Sequence, residues 1–232
     1  MRFRQDIIDF FSHDISDEQL SLFMRYYKFL IEYNQFVNLT SITEEDEVFY
    51  KHFFDSLTSM KFVNFNQIET LCDMGSGAGF PSIPLKIMYP HLEITIIDSL
   101  NKRLIFLQKL LEKLEIKGVN LIHDRIETYA LKHQNQFDIV TARALGDLSL
   151  ISEMGLPMTK IYGLFIAYKG QQIELELNRS IDAIQKLGGE LKSVNSFDLP
   201  HEYGSRSLVI ITRKKSIKGY PRSYQSMKNK PL

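Results

Sequence analysis

The chain has 232 residues, 28 of them basic and 28 acidic, so the formal net charge is zero; 44% is apolar. That is enough for one full α/β domain with a sizeable core plus an appendage. No run approaches the roughly 18 apolar residues of a membrane span, and the one cysteine, Cys72, excludes an intramolecular disulfide and fits a reducing cytoplasm. Residues 1–6 carry no signal-peptide core, and Asp6, Asp9 and Asp14 speak against a transit peptide, so a cytoplasmic protein is expected. The charge is unevenly spread: residues 1–70 hold twelve acids and six bases, whereas from Tyr203 onward there are eight bases and no acid. A basic end of this kind suggests a polyanionic partner.

In chain order, Ser16-Asp17-Glu18-Gln19 fits a capping box, after which Leu20, Phe23, Tyr27, Leu30 and Ile31 recur at helical spacing. Residues 33–40 break that pattern. A second helix is expected after Thr43, where Glu44 to Glu47 suit a positive helix start, and it runs through Tyr50, Phe53, Phe54 and Leu57. Residues 1–65 therefore read as a helical extension. The apolar run Ile68 to Met74 reads as a buried strand that ends in Gly75, Gly77 and Gly79 and turns into a helix-compatible stretch, Ser82 to Met88. Strands follow at Glu93 to Asp98, Val119 to His123, Phe137 to Ala142 and Leu164 to Tyr168, with helices at Lys102 to Leu114, Asp147 to Met158 and Gln171 to Leu187. Leu191 to Leu199 and Ser207 to Thr212 close the series with no helix between them, so they are expected to pair antiparallel. The alternation predicts an α/β fold: a seven-stranded, mostly parallel sheet covered by helices on both faces, with one reversed strand. The domain-scale reading is a helical extension over 1–65, a main domain over 66–213 and a basic tail over 214–232, in one compact unit.

The glycine loop is the chemical centre of the sequence. A strand that turns sharply into a helix gathers backbone N–H groups, and small residues let a ligand approach them. The pattern is G-x-G-x-G, whereas the dinucleotide fingerprint is G-x-G-x-x-G, which counts against a nicotinamide-dependent oxidoreductase. Asp73 precedes the first glycine, and Asp98 ends the next strand, where a carboxylate can accept both hydroxyls of a ribose. This set looks like an S-adenosylmethionine site. Asp124 to Glu127, after the third strand, could clamp an adenine. Arg143, at the end of the fourth strand, needs an acceptor such as a carboxylate, a phosphate or a cofactor tail. His52 and Asp55 stand three apart and could share a helix face. Asp98 could also cap a helix, Glu127 could be a surface acid, and His52 with Asp55 could make a surface hydrogen bond. No His, Cys and carboxylate spacing resembles a metal site.

Together these residues resemble a known family. Tyr33-Asn34 with Asn38-Leu39-Thr40, His52-Phe53-Phe54-Asp55-Ser56-Leu57, Asp73 through Phe80-Pro81, Asp98-Ser99-Leu100-Asn101-Lys102-Arg103, Arg125-Ile126-Glu127, Ala142-Arg143-Ala144 and Tyr168-Lys169-Gly170 are similar to the glucose-inhibited division protein B family. These are the methyltransferase G proteins that methylate guanine N7 in bacterial 16S ribosomal RNA. The resemblance spans nearly the whole chain and implies a class I S-adenosylmethionine-dependent methyltransferase fold, Rossmann-like in layout. Carried over by position, it places the cofactor on Gly75, Phe80, Asp98, Ser99, Leu100, Ile126, Glu127 and Arg143, to which the reading of the glycine loop adds Asp73, Gly77 and Gly79. The RNA side falls to Asn34, Asn38, His52, Lys169, Arg206 and Arg222 of the tail, and the small ribosomal subunit is the implied partner of a monomer. The sequence departs from the family at Ser82, where a glycine is usual, and in the tail, where a Gly-Thr-Pro-like stretch is usual between Pro221-Arg222 and the final Lys230-Pro231-Leu232.

Guanine N7 carries an in-plane lone pair and no proton, so its attack on a sulfonium methyl needs alignment rather than a general base. The purine becomes cationic as the methyl arrives. A nearby carboxylate would help, and Asp55 is the candidate, with Arg143 holding a cofactor carboxylate or an RNA phosphate. Transfer to pyrimidine C5 needs a thiolate, and Cys72 lies inside a strand where packing is its expected role. The alternatives are a small-molecule methyltransferase and a non-catalytic RNA-binding module on the same fold.

Overall fold

The computed structural model describes residues 2–232. Helix α1 (Arg2–Phe11) leads to α2 (Asp17–Asn34). The start of α2 is the expected capping box: Ser16 accepts from the Gln19 N–H, and the Gln19 side chain accepts from the Ser16 N–H. Its buried stripe is Phe23, Tyr26 and Leu30. Tyr26, and not its neighbour Tyr27, enters the core, because one residue's rotation of a helix exchanges two adjacent tyrosines between core and rim.

A second helical rod follows. It consists of α3 (Glu45–Val48), a π-helical stretch (Phe49–Phe54), α4 (Asp55–Leu57) and a 3₁₀ turn (Thr58–Lys61). π-Helical turns are rare and cluster at functional sites. This one packs Phe49, Tyr50, Phe53 and Phe54 inward and turns the chain through His52 and Asp55.

The sheet strands are β1 (Thr70–Met74), β2 (Glu93–Asp98), β3 (Val119–His123), β4 (Phe137–Arg143), β5 (Thr159–Gly170), β6 (Gly189–Asp198) and β7 (Ser205–Arg213). The helices between them are α5 (Ser82–Met88), α6 (Asn101–Leu114), α7 (Ile126–Lys132), α8 (Leu148–Gly155) and α9 (Glu174–Lys186), and α10 (Tyr224–Asn229) follows β7. The seven strands lie in the order β3-β2-β1-β4-β5-β7-β6. β7 runs antiparallel to both β5 and β6 and is the one reversed strand. Strand order reverses between β1 and β4, which places a crevice beyond their carboxyl ends.

Several boundaries differ from expectation. β1 begins at Thr70, since Ile68 closes the 3₁₀ turn Phe65–Gln67 as its C-cap and lies outside the sheet. β5 is longer than its apolar centre, Leu164 to Tyr168, since its outer part continues the ladder with less burial. α9 starts at Glu174, after Ile173.

The core has two halves, one on each face of the sheet. Phe3, Ile7, Phe23, Tyr26, Leu30 and Phe53 of the amino-terminal helices pack with α5 and α6 on one face. Met154 of α8, Ile184 of α9 and Met227 of α10 pack on the other. Cys72 is fully buried in β1, and burial pushes its thiol well up, in keeping with a packing role.

The basic end does not form one surface. Because β7 is reversed, Arg206 sits opposite Gly170, at the carboxyl ends of the parallel strands, while Arg213 sits opposite Gly189 at the other end. Arg213 is itself buried and donates to the carbonyls of Pro157 and Thr159. Lys214 pairs with Glu190 at that same end.

Candidate cofactor and RNA cleft

The glycine loop is held from behind. The Gly75 N–H donates to the Ile97 carbonyl of β2 at 2.8 Å, extending the ladder one residue past β1. Asp73 is fully buried, accepts from Thr141 Oγ1 at 2.9 Å and from the Ser82 N–H at 3.2 Å, and so ties β1 to β4 and to the first turn of α5. Burial lifts its carboxyl to about 7 despite those hydrogen bonds. Gly79 has φ +101°, and a Cβ there would meet Ile83, the Tyr26 hydroxyl and Leu107 at 2.7–3.0 Å. Asp73 and Gly79 thus shape the loop from its rear. Tyr26 reaches it too: its hydroxyl donates to the Ala78 carbonyl, so α2 braces the turn directly.

In front of the loop lie three adjoining clefts. The first, about 280 Å³, is lined by Gly75, Asp98, Ser99, Ile126 and Glu127, with Tyr224 among the other walls. Asp98 is 2% exposed. Its Oδ1 accepts from the Leu100 N–H at 2.9 Å and its Oδ2 from Arg103 Nη1 at 3.2 Å. Each carboxylate oxygen can accept more than one bond, so capacity for ribose hydroxyls remains. The N-cap of α6 is Leu100, so Asp98 shapes the turn before the helix without being its cap. Glu127 is nearly buried and bonds Arg125 Nε at 2.6 Å.

The second cleft, about 220 Å³, shares Gly75, Arg103 and Leu145 with the first and adds Thr40, His52, Gly77 and Phe80. Phe80 is sandwiched: the His52 ring stacks on it at 4.6 Å, Tyr26 stacks at 5.6 Å, and the Arg143 guanidinium lies 5.6 Å from its centre. His52 bonds Thr40 Oγ1 through Nε2 at 2.9 Å. Burial, reinforced by Arg143, holds its imidazole down to about 3, so it is neutral at pH 7. Ser76 Oγ is buried at this cleft with no hydrogen-bond partner among the described residues.

The third cleft, about 280 Å³, is reached past Arg143 and Ala144 and is lined by Asp55, Tyr168, Lys169 and Arg206. Asp55 is 3% exposed, and one of its oxygens pairs with Arg143 at 2.9 Å and with Arg206 at 3.2 Å. Arg143 also donates to the Lys51 carbonyl at 2.6 Å and to Ser56 Oγ at 3.1 Å. Tyr168 donates to the Ser56 carbonyl at 3.0 Å. The ends of β4 and β5 are therefore bolted to the second helical rod, which roofs this part of the crevice. Lys169 Nζ is held by Glu176 and the Gly146 carbonyl, both at 2.6 Å.

The remaining expected positions sit as follows. Asn34 spends its side chain on the loop after α2, accepting from the N–H groups of Leu39 and Thr40 and donating to the Thr40 carbonyl. Asn38 is exposed on that loop. Arg222 is engaged by Glu153 on the α8 side, at 2.6 Å. Sequence reasoning passed over Tyr26, Ser76 and Tyr224. Of these only Ser76 carried a signal, as the polar residue between two loop glycines. Among the described residues no group of His, Cys, Asp and Glu could hold a metal ion, and no helix is long and apolar enough to cross a membrane.

These donors and acceptors fit S-adenosylmethionine. Asp98 suits a ribose diol, and the orphaned Ser76 hydroxyl suits a polar tail. The narrow gap where a Gly75 Cβ would meet Leu145 at 2.8 Å suits a backbone that must stay bare.

Comparisons with known proteins point the same way. The GidB family, described as rRNA small subunit methyltransferase G, matches residues 19–209. Ribosomal RNA small subunit methyltransferase G of Bacillus subtilis (strain 168) is 48% identical over 94% of this chain and 92% of its own. The protein of the same name from Acholeplasma laidlawii (strain PG-8A) is 47% identical over 94% of each. Among solved structures, a mutant of the 16S rRNA (adenine(1408)-N(1))-methyltransferase from Catenulisporales acidiphilia, with cosubstrate SAM, superimposes with a TM-score of 0.52 at 15% identity. The match covers 65% of this chain and 87% of that one. MtNAS in complex with MTA and tNA gives 0.57 at 17% identity, over 84% of this chain and 71% of that one. At such identities these two likenesses concern the fold alone.

Proposed function

The chain belongs to the rRNA small subunit methyltransferase G family, and from that premise we propose that it transfers the methyl group of S-adenosylmethionine to N7 of a guanine in 16S ribosomal RNA. The observation that carries the proposal is the continuity of the cleft. A cofactor-shaped end built on Gly75 and Asp98 opens, past Arg143, into a positively charged end built on Asp55 and Arg206.

When bound, S-adenosylmethionine would supply an electrophilic sulfonium methyl to the in-plane lone pair of N7, the carbon–sulfur bond breaking to leave the neutral thioether S-adenosylhomocysteine and a cationic purine. The protein then has no proton to remove, and its residues align and position. Asp98 and Glu127 fix the nucleoside end. The glycine loop, backed by Asp73 and Tyr26, fixes the methionine end. His52, neutral at pH 7 and stacked on Phe80, adds bulk and no positive charge to the space where a purinium forms. Asp55 takes a different part from the free carboxylate expected beside the base. With one oxygen shared by two guanidinium groups, the Asp55, Arg143 and Arg206 cluster is net cationic, which suits an RNA phosphate. Asp55 is then a positioning residue that aims two arginines. Lys169 borders the same cleft. Asn34 and Asn38 shape and present the loop whose Leu39 and Thr40 line the reactive end, and Phe36 on that loop is 80% exposed. An exposed ring there suits stacking on an unpaired base.

The test is direct. The purified chain, methyl-labelled S-adenosylmethionine and small-subunit RNA or particles should yield label recovered as 7-methylguanosine. Label in another nucleoside, or none in RNA, overturns the assignment.

A further inference from the structure

The tail does not hang free. Both oxygens of Glu153, a residue of α8 that is 1% exposed, are taken by Arg222: Oε1 accepts from Nε at 2.8 Å and from the backbone N–H at 3.0 Å, and Oε2 accepts from Nη2 at 2.6 Å. Arg222 Nη1 donates to the Lys230 carbonyl at 3.1 Å and closes the segment on itself. Upstream, Gln134 donates to the Tyr220 carbonyl at 2.9 Å. Downstream, Ser223 caps α10 and Met227 is buried in the core half shared with α8. A bidentate pair on a carboxylate this buried is a strong fixture, since a lone charge left there would be costly. The consequence of the fixture is the placement of Tyr224. It lines the same cleft as Asp98, Ser99 and Glu127. Arg125 joins the two sides, bonding Glu127 at 2.6 Å while its guanidinium lies 5.3 Å from the Tyr224 ring centre. Tyr224 also falls in the part of the tail where the sequence leaves the family pattern.

We propose that residues 220–232 are a wall of the cofactor cleft, with Tyr224 covering the adenosine end and the Glu153–Arg222 pair as the latch that holds it there. This rests on the reading that the cleft takes S-adenosylmethionine. Tyr224 is 38% exposed, so a flat ring is available to an adenine without rebuilding the core. Base–aromatic stacking is commonly worth about 5- to 150-fold in affinity. The tail's arginine therefore serves the cofactor side of the reaction, and the tail is no separate arm for RNA.

The experiment measures S-adenosylmethionine binding by calorimetry, and small-subunit RNA binding in parallel, for the full chain and its variants. Tyr224→Ala should bind the cofactor about 10-fold more weakly, Tyr224→Phe within about twofold, and both should bind RNA as the native chain does. Glu153→Gln, which keeps the shape of the latch without its charge, should weaken the cofactor several-fold while its melting curve remains cooperative. If Tyr224→Ala binds the cofactor as tightly as the native chain, or loses RNA affinity alone, the proposal is overturned. If the native chain itself binds no S-adenosylmethionine, the reading of the cleft fails first and takes this one with it.

Discussion

The two ends of the cleft are built on opposite plans. At the cofactor end the binding groups are backbone, a bare loop and carboxylates that each hold one arginine, Asp98 with Arg103 and Glu127 with Arg125, and keep acceptor capacity to spare. At the other end the charges are already spent on one another, Asp55 on Arg143 and Arg206, Lys169 on Glu176. The first plan presents a preformed mould to a small ligand. The second keeps a cationic surface in register until a large anion arrives. Damage at the first end should therefore appear as lost ligand affinity, and damage at the second as lost stability and lost RNA use.

The largest effect is expected at Asp55. Asp55→Ala leaves two guanidinium groups facing each other without a counter-charge and should cost about 3–5 kcal/mol in urea unfolding. It should also depress turnover on RNA more than cofactor affinity. A variant that is stable yet inactive would shift Asp55 back to direct chemistry beside the base. Next is Asp98→Ala, which should weaken S-adenosylmethionine about 10- to 100-fold by calorimetry, the worth of hydrogen bonds to a charged acceptor, with RNA affinity retained. Equal losses of both ligands would erase the division between the ends.

Two buried groups should respond to pH in opposite senses. The Asp73 carboxyl is raised to about 7 in the fold, so the stability it supports is complete below its unfolded value near 3.8 and is lost as pH rises through 7. Replacing it by Asn should cost most near pH 4 and least above pH 7. The His52 imidazole is lowered to about 3, so its contribution is complete above about 6.5 and is lost as pH falls toward 3. His52→Gln should then cost most above pH 6.5 and least near pH 4. The slopes should reach about 1.4 kcal/mol per pH unit, and pH-independent penalties in urea titrations would contradict both assignments. The smallest effect is Phe36→Ala. It should lower kcat/KM for RNA about fivefold, the low end of a base stack, with cofactor affinity unchanged.

What the sequence revealed follows the same division. The cofactor end was legible because its parts are local: a strand, a glycine turn and a helix are contiguous, and Asp98 ends the next strand. The sheet was legible for the same reason, since alternating strands and helices leave few topologies, and the missing helix before β7 announced the reversal. The proposed RNA end was legible only through the resemblance, which named Lys169 and Arg206; pattern alone did not join them to Asp55. Asp55 and Arg206 are brought together by a β7 that runs backward and by a π-helical stretch whose extra residue per turn leaves no mark in apolar spacing. Eight bases after Tyr203 suggested a polyanionic partner, yet strand direction put Arg206 at the cleft and Arg213 in the core at the far end. Helical periodicity likewise chose Tyr27 where Tyr26 is the buried one, because a stripe read from sequence is blurred by about one residue. Nor could it show that a tail rich in polar residues would be fixed by one carboxylate on α8.

The central claim is that the two ends of this cleft meet over guanine N7 of 16S ribosomal RNA. Mapping 7-methylguanosine in ribosomal RNA from cells with and without the gene tests it most directly. One guanine of the 16S RNA should lose its methyl group when the gene is removed and regain it when the native gene is restored. A map that is the same with and without the gene would contradict the account.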